Sequence, residues 1–168
     1  NELIQAFGAV SKKHPSAKLI LVGHTEPELD PLLPETLHSI EFDENIIEVG
    51  FQKDIRPYLA LTNVFTFPSY REGFPKILVE AASCGRVIIT TDVPGCRDAI
   101  EKDVTGLLVP VRNARTLAKA VSELLNDPSL CKKMGIAGRE RAERLFDIKK
   151  IVEEHTDIYK QLSHNNKV

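Results

Sequence analysis

Five short apolar runs, each stopped by Gly, Pro or a polar residue and each separated from the next by a helical repeat, constrain this chain more than any other feature. They are "AKLILV" (17–22), "NIIEVG" (45–50), "VFTFP" (64–68), "VIITT" (87–91) and "GLLVPV" (106–111). Strands that are apolar along their whole length are buried on both faces, and strands that alternate with helices pair in parallel. The pattern therefore predicts a Rossmann-like α/β fold, one parallel sheet with helices on both faces.

The helical segments follow the same logic. Leu3, Ile4, Ala6, Phe7 and Val10 recur at helical spacing, so the chain opens on an amphipathic helix rather than a signal peptide. The stretch 23–40 predicts a loop and a short helix. A helix is expected over "DIRPYLALTN" (54–63), capped by Asp54 with Pro57 in its first turn. Another runs from about Pro75 to Ser83, a turn is expected at "DVPGC" (92–96), and three helices close the chain, over 114–126, 128–146 and 148–162. Residues 1–162 are expected to form one domain and 163–168 a loose tail. "RERAERLFDIKK" reads as a solvent-facing, salt-bridged helix because its glutamates interleave with its arginines.

Composition excludes several classes of function. A formal net charge of −2 gives no field for nucleic acid, and no apolar run is long enough for a spanning helix. Three cysteines without CxxC spacing favour neither a disulfide framework nor zinc and suggest a reducing, cytoplasmic compartment. His14, His38, His155 and His164 are placed on polar faces or tails without metal-ligand spacing, and neither a dinucleotide fingerprint nor a Walker loop is present. No metal and no cofactor is expected.

In open parallel sheets ligands bind beyond the carboxyl ends of the strands, which directs attention to the loops after Val22, Val49, Phe67 and Thr91. The loop after Phe67 reads "PSYREGFPKILVEAASCG". Glu72 lies in it, and Glu80, eight positions on, falls about one and a half turns into the helix that follows. Gly73 permits close backbone approach, and the free amides at the helix start, notably those of Phe74 and Lys76, make an anion site. Pro75 has no N–H to give. A ligand with hydroxyls at both ends and phosphate between them suits this layout, and a nucleotide sugar is such a ligand. His24, after Gly23 at a strand end, is a further position within reach of a ligand, although a loop histidine is more often simply solvated.

The stretch "PSYREGFPKILVEAASCGRVIITTDVPGCRDAI", with "VTGLLVP" and "LAKAVSELLND" after it, resembles the donor-binding domain of retaining glycosyltransferases of the GT-B fold, the family 4 group. The resemblance runs from Asn1 to about Phe146. It implies that Glu72, the residue at the reacting sugar, bonds the donor-sugar hydroxyls and that Glu80 bonds the ribose. Gly73, Phe74 and Lys76 would line the sugar and diphosphate, and Gly50 and Phe51, within "VGFQKD", would read the base. Neither glutamate is implied to be a nucleophile or general base, because the family is described as attacking from the front face with electrostatic support for the leaving diphosphate. "DVPGCR" resembles versions from enzymes of surface polysaccharide synthesis, which implies a UDP-linked hexose or N-acetylhexosamine. The partners implied are the nucleotide sugar and an N-terminal acceptor domain of the same chain.

The family pattern also has a strand just upstream of the opening helix, with a glycine-arginine pair and a lysine-glycine pair that clamp the diphosphate. That strand and those cations lie outside this sequence, so the chain is expected to lack its first strand, to bind donor at roughly millimolar strength and to transfer nothing alone. The alternative is a non-catalytic nucleotide-sugar-binding or interaction module that kept the fold without the second half.

Overall fold

The computed structural model describes residues 1–25, 28 and 31–165. The elements follow in the order α1 (Glu2–Ser11), β1 (Leu19–Leu21), α2 (Pro34–Phe42), β2 (Ile46–Glu48), α3 (Arg56–Leu61), β3 (Val64–Phe67) and α4 (Lys76–Ser83). The chain continues through β4 (Val87–Thr91), α5 (Pro94–Ala99), β5 (Gly106–Val109), α6 (Ala114–Asn126), α7 (Pro128–Leu145) and α8 (Ile148–Asn165). All five apolar runs form strands and every pairing is parallel. The stretch 23–40, expected to hold a loop and a short helix, lies partly outside the described residues.

β4 is the centre of the molecule. All five of its residues are buried, and because successive side chains point to opposite faces, it divides the interior in two. Val87 and Ile89 join Phe7 and Val10 of α1 and Leu117 and Leu124 of α6. Ile88, between them, joins Leu78 and Ala81 of α4 and Cys96 and Ala99 of α5. Helices therefore cover both faces, as the unbroken apolar run requires. α6 starts on a side-chain cap, with Asn113 Oδ1 accepting from the Thr116 amide at 2.9 Å, and α7 starts the same way on Asp127.

The strands do not form one continuous ladder. β1 pairs with β2, and β3, β4 and β5 form a second sheet in that order. Between β1 and β3 lies a cleft of about 700 Å³, lined on one side by Leu19 to Val22 and on the other by Val64 to Pro68, with Phe7 and Val10 of α1 along it. Leu19 donates to Asn45 O at 2.8 Å and Leu21 O accepts from Val49 at 3.0 Å, both across the β1–β2 ladder. In a parallel strand alternate residues serve opposite neighbours, so Ile20 and Val22 direct their backbone groups into the cleft. The cleft thus lies between the two parallel ladders, with the free backbone groups of β1 facing it.

Four further points differ from the sequence reading. "DVPGC" is the start of a short helix, α5, because Pro94 occupies its first turn and the following residues bury Gly95 and Cys96. α3 has Ile55, not Asp54, at its N-cap position, although the Asp54 carboxylate still accepts the Arg56 amide at 3.0 Å. His14 is not on a polar face: it is half-buried beside the cleft, and its Nε2 has no partner. α8 runs to Asn165, past the expected limit of 162, and residues 166–168 lie outside the described residues.

Asp54 also carries a pH signature. The Arg56 side chain, bonded to it through Nε and Nη2 at 2.8 Å each, and the Arg56 amide hold its carboxyl down at about 2. A depressed carboxyl pKa stabilises the fold above the ordinary value of 3.8 and loses that contribution as pH falls toward 2. The carboxyl carbon shift of Asp54 should titrate with a midpoint near 2, and Arg56→Ala should return it toward 3.8. A midpoint unchanged by the substitution would show that the pair does not form in solution.

Candidate active site

The loop from Pro68 to Pro75 leaves the carboxyl end of β3 and enters α4. Two hydrogen bonds from the neighbouring strand fix its course. Thr90 Oγ1 donates to Phe67 O at 2.7 Å and lies 3.2 Å from Cys96 Sγ, while Thr91 Oγ1 donates to Ser69 O. Both threonines are fully buried at the end of β4. The far side of the loop is tied by Tyr70, whose hydroxyl donates to Glu2 Oε2 of α1 at 2.5 Å and whose ring lies beneath the Arg112 guanidinium.

Glu72 and Glu80 differ in setting. Glu72 is half-buried in the braced loop, and its charge is felt at Cys96, whose thiol burial pushes up and Glu72 pushes further. Glu80 is exposed on α4, the fifth residue of that helix. Among the described residues neither carboxylate has a hydrogen-bond or ion-pair partner in the protein. The amino-terminus of α4 has no side-chain cap, and Pro75 takes the N-cap position. The amides of Lys76 and Ile77 therefore lie at an uncapped positive end of the helix dipole, between the two carboxylates in the chain. Phe74 is partly exposed and packs its ring 5.3 Å from that of Phe146.

The second group of expected residues lies on the other half-sheet. Gly50 follows β2 with φ +64°, a backbone form suited to glycine, and its carbonyl accepts from Gly23 at 2.9 Å. That bond joins the loops after β1 and β2. It brings His24 to Phe51, with ring centroids 6.1 Å apart, and Phe51 stands 70% exposed. His24, Gly50 and Phe51 thus form one cluster, whereas Glu72, Gly73, Phe74, Lys76 and Glu80 form another. The cleft between β1 and β3 runs up to both, since Val22, Pro68 and Ile77 line it. Among the described residues no cluster of His, Cys, Asp and Glu is arranged to hold a metal, and no helix is long and apolar enough to cross a membrane.

Sequence reasoning missed the residues that hold the loop: Thr90, Thr91 and Gly95 beneath it and Tyr70 within it. "TT" reads as the polar end of a strand and "PG" as a turn, and nothing local marks either as a support for residues some 20 positions earlier.

A parallel α/β unit with an uncapped helix start and two unpartnered carboxylates after β3 is a Rossmann-like unit with a candidate ligand site, the form that the resemblance to one half of the GT-B architecture implies. Residues 1–141 match the family model described as glycosyl transferases group 1, and the chain belongs to that family. It is 31% identical to the capsular polysaccharide biosynthesis glycosyltransferase CapM of Staphylococcus aureus over 159 residues, 95% of this chain and 42% of that protein. It is 30% identical to the N-acetyl-alpha-D-glucosaminyl L-malate synthase of Bacillus anthracis over 166 residues, 99% of this chain and 43% of that protein. Its fold superposes on Anabaena HepE, solved in complex with UDP, with a TM-score of 0.86 at 21% identity, covering 95% of this chain and 44% of that one. The chain therefore spans about two fifths of the length of the curated relatives it matches.

Proposed function

We propose that this chain is the donor-binding half of a retaining glycosyltransferase that moves a hexose or N-acetylhexosamine from a nucleotide sugar, UDP-linked, to a glycan or lipid-linked acceptor in surface polysaccharide synthesis. The observation that carries the reading is the pair of unpartnered carboxylates, Glu72 and Glu80, on either side of the uncapped start of α4. The similarity to CapM supports the polysaccharide context, and the likeness to a structure holding UDP supports the donor class.

In this reading Glu72 accepts hydrogen bonds from vicinal sugar hydroxyls. Half-burial makes that carboxylate discriminating, because a sugar that fails to pair with it leaves a poorly solvated charge. The amides of Gly73, Phe74 and Lys76 face the diphosphate, where the helix dipole stabilises charge that grows as the sugar departs. Glu80, exposed one turn further on, takes the ribose hydroxyls, and Gly50 and Phe51 offer backbone groups and a ring to the base. The acceptor and the second face of the catalytic cleft belong to a further domain of the longer protein.

The test is an NMR titration of the protein with UDP, GDP, UDP-glucose, UDP-N-acetylglucosamine and GDP-mannose, repeated on Glu80→Gln. Saturable shifts with one base class at roughly millimolar ligand, weakened by about tenfold or more in Glu80→Gln, are expected. Shifts of equal size in both proteins would remove Glu80 from the site, and no response to any ligand would overturn the reading for this chain.

A further inference from the structure

We propose that Gly95 is a positioning residue for this site: its missing side chain is the space into which the Glu72–Gly73 backbone settles. The chemistry of the inference rests on the donor-site reading above, but its geometry does not. Gly95 is buried in the first turn of α5, directly beneath the loop. A Cβ built on it would stand 2.7 Å from Glu72 O and 2.6 Å from the Gly73 carbonyl carbon, and closer still to Gly73 O. All three are backbone atoms, so no side chain can swing aside to make room.

The conformation of Gly95 is not of the left-handed kind that only glycine favours, so the constraint is purely one of contact. Thr91 acts at the same place by a different means, since its buried hydroxyl holds the Ser69 carbonyl. One support pulls the loop down and the other lets it approach. Together they set the height of Glu72 and of the Gly73 amide above the end of the sheet. These are the groups assigned to the sugar and diphosphate, whereas Glu80 sits on α4 and does not depend on this contact.

A control exists in the same chain. Gly135 of α7 is also crowded by backbone, though by fewer atoms than Gly95, with a built Cβ falling against Gly85 O and 3.0 Å from the Gly85 carbonyl carbon, at the carboxyl end of α4. Gly135→Ala imposes a steric clash with backbone without touching the loop. The experiment compares Gly95→Ala, Gly135→Ala and the unsubstituted protein. It records amide spectra without ligand, and affinities for UDP and UDP-glucose, with GDP and GDP-mannose in parallel. In Gly95→Ala the amide signals of Glu72, Gly73 and Phe74 should move and the affinity gained from the sugar should fall by tenfold or more, while binding of the bare diphosphate, which keeps the Lys76 amide and Glu80, falls by less. Gly135→Ala should lower the melting temperature and leave both the loop signals and the sugar increment in place.

If Gly95→Ala does not fold, Thr91→Val, nearly isosteric and lacking the hydroxyl, carries the same two readouts. Unmoved loop signals, an unchanged sugar increment, or an equal loss for sugar and bare diphosphate would overturn the proposal. Failure of the donor reading looks different: the unsubstituted protein would then bind no nucleotide sugar, while the ligand-free spectra would still report whether Gly95 sets the loop.

Discussion

If this chain forms the donor half of a two-domain transferase as proposed, replacing Glu72 by alanine in that protein is expected to lower transfer, measured as kcat/KM for the nucleotide sugar, by roughly 10- to 150-fold. The figure is the loss of charge-assisted bonds worth about 1.5–3 kcal/mol. The loss should fall on the sugar-bearing ligand. Glu72 reaches its place through a loop that Thr90, Thr91 and Tyr70 brace, so a truncation at Cβ leaves the amide frame standing and binding of the bare diphosphate nearly unchanged. Glu80→Gln, by contrast, should weaken nucleotide and nucleotide sugar alike. If Glu72→Ala reduced affinity for the diphosphate as strongly as for the sugar, the division of roles between the carboxylates would be wrong.

The second large effect concerns the cleft between β1 and β3. Ile20 and Val22 direct backbone groups into it, α1 lies along it, and both bordering strands are only half-buried although their sequences are uniformly apolar. A strand that entered α1 and sat parallel to β1 would satisfy the right-handed crossover rule and complete the doubly wound order, with two strands on one side and three on the other. We propose that the residues immediately upstream of Asn1 in the longer protein supply it. A chain extended by those residues should be more stable, because the segment would bury two or three apolar side chains and pair the backbone groups of Ile20 and Val22, and its melting temperature should rise by at least several degrees. Amide exchange offers a sharper check: Ile20 and Val22 should gain protection in the extended chain, and Leu19 and Leu21, already bonded to β2, should change little. Equal protection in both chains would mean that the cleft takes no strand.

Much of the fold could be read from the sequence because burial leaves a compositional trace. In a run such as "VIITT" the apolar residues are consecutive rather than alternating with polar ones, so neither face is left to solvent and helices are required above and below it. The loop bearing Glu72 was legible for a related reason: a carboxylate, a glycine and a proline ahead of an apolar helix make a functional pattern within a few residues. What stayed hidden depends on pairing across the chain. No local signal tells which strands touch, so the division between β1–β2 and β3–β4–β5 had no counterpart in the composition of either run. "DVPGC" was misread because Pro-Gly marks turns and helix starts equally, and only the burial of Gly95 and Cys96 separates the two. Asp54 was placed one residue from the cap because the same carboxylate geometry serves either position.

The alternation along β4 bears on how this chain accommodates change. Ile88 and Ile89 are adjacent and both fully buried, yet each answers to a different set of partners, α4 and α5 for the first and α1 and α6 for the second. Substitutions usually combine additively when they lie far apart and share no neighbours. Here the sheet itself supplies the separation, so two positions joined by a single peptide bond present independent packing problems, and the two interiors can drift in sequence without consulting each other.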